Sequence, residues 1–128
     1  MKIGMFTANF LNRDLESVFR MMADLGYEAA ELPAFTGNGH LDIDEVLKPG
    51  GAKKTRDLAG KYGLTISALS NHPEGQLVLG PHTKDTDSLY PGGPGAPAGE
   101  KIRFGMDRMK QTARAAAALE VPVVCGFI

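Results

Sequence analysis

The chain has a single cysteine, Cys125, in 128 residues. No internal disulfide can form, and a reducing compartment fits that usage. It also lacks an excess of either charge: 14 Lys and Arg stand against 15 Asp and Glu, for a net charge of −1. The basic surplus of a nucleic-acid binder, or of a protein that reads anionic membranes, is missing. No stretch approaches the ~20 apolar residues of a membrane-spanning helix. The N-terminus offers one lysine and then only Ile3 to Phe6 before polar residues, too short for a secretion signal. These absences predict a soluble, cytoplasmic protein with no nucleic-acid and no membrane partner. What the chain does have is 43% hydrophobic content, enough in this length for one sizeable core.

Short apolar runs recur after glycine. Gly26 precedes Tyr27 to Leu32 and Gly63 precedes Leu64 to Leu69, each placed as a left-handed helix cap before a strand. With Lys2 to Thr7 at the start and Val121 to Ile128 at the end, four strands alternate with three helices, a βαβαβαβ pattern that predicts a parallel sheet in the order 1-2-3-4. The first helix carries Leu15, Val18, Phe19, Met22 and Leu25 as one apolar stripe behind a capping Asp14. Pro49-Gly50-Gly51 breaks the second from a weak turn, Asp42 to Leu47, after which Ala52, Thr55, Leu58, Ala59 and Tyr62 share a face. The third, roughly Glu100 to Leu119, points Ile102, Met106, Met109, Ala113, Ala116 and Ala117 inward. Cys125 in its buried strand reads as a small core residue, with a nucleophile as the alternative.

The long connections follow strands. One runs from Pro33 into the broken helix; the other, a structureless Gly- and Pro-rich loop, spans about Ser70 to Gly99 and reads as a lid or a solvated linker. In parallel α/β proteins such loops leave the carboxyl ends of strands, where ligands bind. A sequence ending on a strand, with no helix after it, is expected to be the first part of a larger protein.

Phosphate motifs fail on inspection. Gly37-Asn38-Gly39-His40-Leu41-Asp42 has Asp42 where a dinucleotide fingerprint needs its third glycine, and Gly99-Glu100-Lys101 lacks the order of a Walker loop. His72, in Ser70-Asn71-His72-Pro73 just past the third strand, is either a rim residue able to bind a metal or a substrate hydroxyl, or a histidine packed under the loop. Glu31, ending the second strand, either orients hydroxyls or acts as a base, or sits in a structural ion pair. Phe6, Asn9 and Asn71 belong to the same rim by position, Phe6 equally to the core; His82 is a weaker candidate and His40 reads as a surface turn residue. His72, His82 and Glu31 share no recognisable metal-ligand spacing, so no metal site is read in this chain.

Lys2 to Thr7, Leu25 to Leu32, Gly63 to His72 and Ala115 to Val124 together resemble the sugar phosphate isomerase/epimerase family with the xylose-isomerase-like (β/α)8 barrel. The resemblance implies that residues 1–128 form a single partial domain, the first half of a TIM barrel of ~250 residues. It implies a divalent metal (Mn, Mg, Co or Zn) held by Glu, Asp, His and Glu on strands of the second half, and it places Phe6 and His72 on the substrate side. The expected activity is that of a metal-dependent sugar or sugar-phosphate isomerase or epimerase, inactive as this piece alone, with a homo-oligomer left open. Two alternatives remain: an abasic-site endonuclease of the same barrel superfamily, and a non-catalytic α/β binding module.

Overall fold

The computed structural model describes residues 1–127. Its apolar runs form strands β1 Gly4–Phe6, β2 Ala29–Pro33, β3 Thr65–Ser70 and β4 Val124–Cys125. All pair in parallel in the order β1-β2-β3-β4, the α/β topology expected when sequence neighbours are joined by crossovers. Between them lie α1 Leu15–Asp24, α2 Ile43–Val46, α3 Gly51–Lys61, α4 His72–Gly75, α5 Lys84–Asp87 and α6 Ala98–Ala118, and a 3-10 turn, Thr7–Phe10, follows β1.

Asp14 starts α1 by accepting the Ser17 N–H at 2.8 Å, a bond that also holds its carboxyl below the usual carboxylate range. Leu15, Val18, Phe19 and Met22 are buried as the stripe predicts. Leu25 is not: it is the C-cap, 68% exposed, where the chain turns through left-handed Gly26 into β2. Gly50, also left-handed, starts α3, and a Cβ on Gly51 would stand 1.9 Å from the Glu45 carbonyl oxygen. The Pro-Gly-Gly break thus lets α2 and α3 touch.

The longest helix corrects the sequence reading. Lys101, Gly105, Thr112, Ala115 and Ala116 are its buried residues, whereas Met106, Ala113 and Ala117 are exposed. Hydrophobicity misleads here because the N-terminal half of α6 packs on α4, a polar neighbour. Gly105 approaches so closely that an added Cβ would lie 2.8 Å from the Glu74 carbonyl oxygen. Lys101 can be buried because Asp87 neutralises it. The segment expected to be structureless likewise contains α4 and α5: Leu77 is fully buried, and Thr83 and Thr86 form a capping box around α5.

The two faces of the sheet differ. Met5, Ala30, Leu32, Ile66, Leu69 and Val124 join Val18, Phe19, Met22, Ala115 and Ala116 in the apolar core on the helix side. Since side chains alternate along strands, Phe6, Glu31, Pro33, Ser70 and Cys125 lie on the opposite, open face. A register shift opposite Ala30 and Glu31 inserts Ser67 as an extra residue in β3, so that Ala68 and Ser70 align with Glu31 and Pro33.

Candidate active site

The open face presents Phe6 and Ser70 at the ends of β1 and β3, whereas Glu31, expected to end the second strand, is the middle residue of β2, which runs on to Pro33. Phe6 closes β1 and is in register with Glu31 of β2. The Glu31 carboxylate accepts the hydroxyl of Ser70, the fully buried last residue of β3. Two residues on, His72 opens α4. Its ring meets Phe6 edge-on, with centroids 6.4 Å apart at 89°, and lies 4.4 Å from the ring of Phe127 beyond β4. His72 is half-buried between these rings, and its Nδ1 is buried without a hydrogen-bond partner among the described residues. A carboxylate, an imidazole and two aromatic rings are thereby grouped at one end of the sheet. The carboxylate can orient hydroxyls or move a proton, and the rings offer an apolar wall.

Other sequence candidates are placed elsewhere. Asn71 is fully buried and faces away, its amide donating to Glu74 Oε2 at 2.6 Å and to Thr112 Oγ1 at 3.1 Å. Asn9 is exposed on the 3-10 turn, and His82 spends its Nε2–H on the Leu77 carbonyl at 2.9 Å. Cys125 is half-buried on the open face, in register with Ser70, and not in the core as its strand had implied. His40 is the clearest correction: only 7% exposed, it is a structural residue and not a surface turn. Its Nε2 faces the Arg13 carbonyl at 2.9 Å and must donate, so Nδ1 accepts the Thr7 hydroxyl at 3.1 Å.

Sequence reasoning missed Glu74. This carboxylate, 2% exposed, receives the N–H and hydroxyl of Thr36, the amide of Asn71 and the guanidinium of Arg108. A signal was present, because Asn71-His72-Pro73-Glu74 has capping-box spacing with proline in the first turn. A cleft of about 520 Å³ runs nearby between residues 35–44 and Arg108. Of its polar groups, Arg108 is bonded to Asp44, His40 to Thr7 and Arg13, and Thr36 to Glu74, so it is a weaker candidate than the open face.

Among the described residues no three His, Cys, Asp or Glu side chains are grouped to hold a metal ion. The resemblance places the ligands of its divalent metal on strands of the second half; of the described residues Glu31 is engaged by Ser70 and His72 is flanked by rings, and they do not make up the three or four converging ligands of such a site by themselves. No described helix is long and apolar enough to cross a membrane.

No protein-family model matches the chain. Fructoselysine 3-epimerase of Escherichia coli O157:H7 is 29% identical to it over 114 residues, which make up 87% of this chain and 37% of the epimerase. A xylose isomerase domain containing protein from Salmonella typhimurium LT2 superposes with a TM-score of 0.54 at 18% identity, over 96% of this chain and 35% of its own. D-psicose 3-epimerase, solved in the presence of D-fructose, gives a TM-score of 0.56 at 13% identity, over 98% of this chain and 37% of its own. The chain therefore spans little more than a third of the length of these relatives. In sequence it resembles, and in fold it matches part of the barrel of, the xylose-isomerase-like sugar isomerases and epimerases.

Proposed function

We propose that this chain supplies one wall of the active site of a sugar or sugar-phosphate isomerase or epimerase that transfers a proton at the carbon beside a carbonyl. The observation that carries the reading is that Phe6, at the end of β1, is in register with Glu31 of β2 and meets the ring of His72, which follows β3, on the open face of the sheet. The rings of Phe6 and Phe127 suit the C–H surface of a sugar, while Glu31 and His72 hydrogen-bond its hydroxyls. Asn71 acts one step back, through Glu74. Residues 1–128 count in this reading as one partial domain, inactive alone, in a cytoplasmic protein whose partner is a small carbohydrate. The reading includes a divalent metal bound by groups other than those described here, and the relatives' names favour a ketose as substrate.

The test uses a protein that carries this sequence within a complete barrel. Incubated in deuterium oxide with a keto sugar or its phosphate, it should erase the proton NMR signal at the carbon next to the carbonyl, and the His72→Ala variant should do so far more slowly. Retention of that signal across a panel of ketoses, together with cleavage of an abasic DNA duplex, would replace the isomerase reading with the nuclease one.

A further inference from the structure

We infer that Glu74 is a positioning residue for His72, an assignment that rests on the sugar-site reading only for its catalytic consequence. The helix that carries His72 is a single turn, His72–Gly75. A turn of that length has no stability of its own, because helix nucleation is unfavourable without outside contacts. Whatever fixes α4 therefore fixes the imidazole.

Glu74 supplies much of that fixing. Its carboxylate receives the Thr36 N–H at 2.9 Å, the Thr36 hydroxyl, the Asn71 amide at 2.6 Å and the Arg108 Nε–H at 3.2 Å. These donors come from the loop after β2, from the residue preceding α4 and from α6. A buried carboxylate is unfavourable unless its oxygens are hydrogen-bonded and its charge is matched. All three elements must be in place for that, so the group acts as a registration point between them. Arg108 is itself steadied by Asp44 at 3.1 Å and by Gln111 at 2.9 Å.

The opposite side of the turn is closed by backbone. The Asn71 N–H donates to the Cys125 carbonyl at 2.8 Å. Gly75 lies so near the chain beyond β4 that a Cβ there would stand 2.2 Å from the Phe127 carbonyl oxygen. Held between Glu74's partners and Phe127, α4 has one position, and that position sets the His72 ring against Phe6 and Phe127.

The experiment is nitrogen-15 NMR of the histidine rings in the complete-barrel protein, with His72 assigned through His72→Gln, beside steady-state kinetics on a ketose. Glu74→Gln keeps the volume but removes the charge and turns one acceptor into a donor. We expect the His72 ring signals to move while those of His40 and His82 stay. We also expect kcat to fall by up to about a hundredfold, more than KM changes, with partial recovery in Glu74→Asp. Thr36→Val, at an exposed residue, should fold normally and move the His72 signals by a smaller amount in the same direction. The assignment is overturned if the His72 signals are unmoved in folded Glu74→Gln. It is also overturned if all three histidines shift together with a loss of melting temperature or, should Glu74→Gln fail to fold, if Thr36→Val leaves His72 unmoved. A wild-type protein without ketose turnover would sink the proposed function and leave the NMR result to decide the role of Glu74.

Discussion

Under the proposed function, His72 and His40 separate turnover from stability at the level of single side chains. His72 touches two rings and is half-buried, so His72→Ala should cost no more than about 1–2 kcal/mol of stability while removing most ketose turnover in the complete-barrel protein. His40→Ala should do the reverse. It deletes one buried and one partly buried hydrogen bond and strands the Thr7 hydroxyl, a loss of about 2–3 kcal/mol in denaturant titration, with turnover kept in the molecules that fold. Equal loss of activity without loss of stability in both variants would contradict the placement of His72 at the site. The proximity of Phe6 and His72 was legible in the sequence because a strand end fixes a residue's position whatever its partners, whereas Glu31 lies in the middle of β2 and not at its end. His40 was not, since its burial comes from Arg13 and Thr7, 27 and 33 residues away, while its local Gly-Asn-Gly context has the composition of a surface turn.

Among the elements, α6 shows where an apolar pattern stops being a guide. Its buried face holds Lys101, Gly105 and Thr112 because it meets α5, α4 and the Glu74 network, and only the alanines near its end face an apolar surface. The strands and α1 were legible because each meets apolar partners, so that burial and hydrophobicity coincide. Gly105→Ala should therefore destabilise the protein by about 1–3 kcal/mol through overpacking against the Glu74 carbonyl. Gly60→Ala in α3, where an added Cβ meets open space, should stabilise it by about 0.5–1 kcal/mol. Chemical denaturation of the two variants checks the pair, and opposite signs are the expected result. The α5 contact adds a pH dependence. The hydrogen bond from Lys101 holds the Asp87 carboxyl below its ordinary value. A lowered folded-state pKa means that this contribution is complete above the ordinary carboxylate range, about pH 4, and is lost as pH falls through the lowered value. Asp87→Asn should abolish that part of the acid transition and speed amide exchange in residues 84–87 at neutral pH.

For the molecule as a whole, the open face and the two outer strands decide what this sequence can do by itself. Among the described residues β1 and β4 each have a strand neighbour on one side only, and Ile3, Val123 and Phe127 are 63%, 46% and 59% exposed. Unpaired strand edges beside apolar side chains favour association with another chain, so the isolated 128-residue polypeptide should bind a hydrophobic dye and elute as more than a monomer. The strand order was readable from the alternation of elements alone, but the completeness of the site was not, because ligands converge in space and not in sequence. The open face carries Glu31, His72 and Cys125 as ligand-type groups, but among the described residues no three such side chains are grouped to hold an ion, and Glu31 is already engaged by Ser70. Groups that do not converge make no tight site for a divalent ion, which needs three or four converging ligands. Calorimetric titration of manganese should accordingly show no micromolar binding to this chain alone and clear binding to a protein that carries it within a complete barrel. Solvent deuterium should enter the ketose carbon only with the latter. Micromolar binding or exchange by the isolated chain would mean that its own residues form a site that the grouping of Glu31 and His72 does not account for.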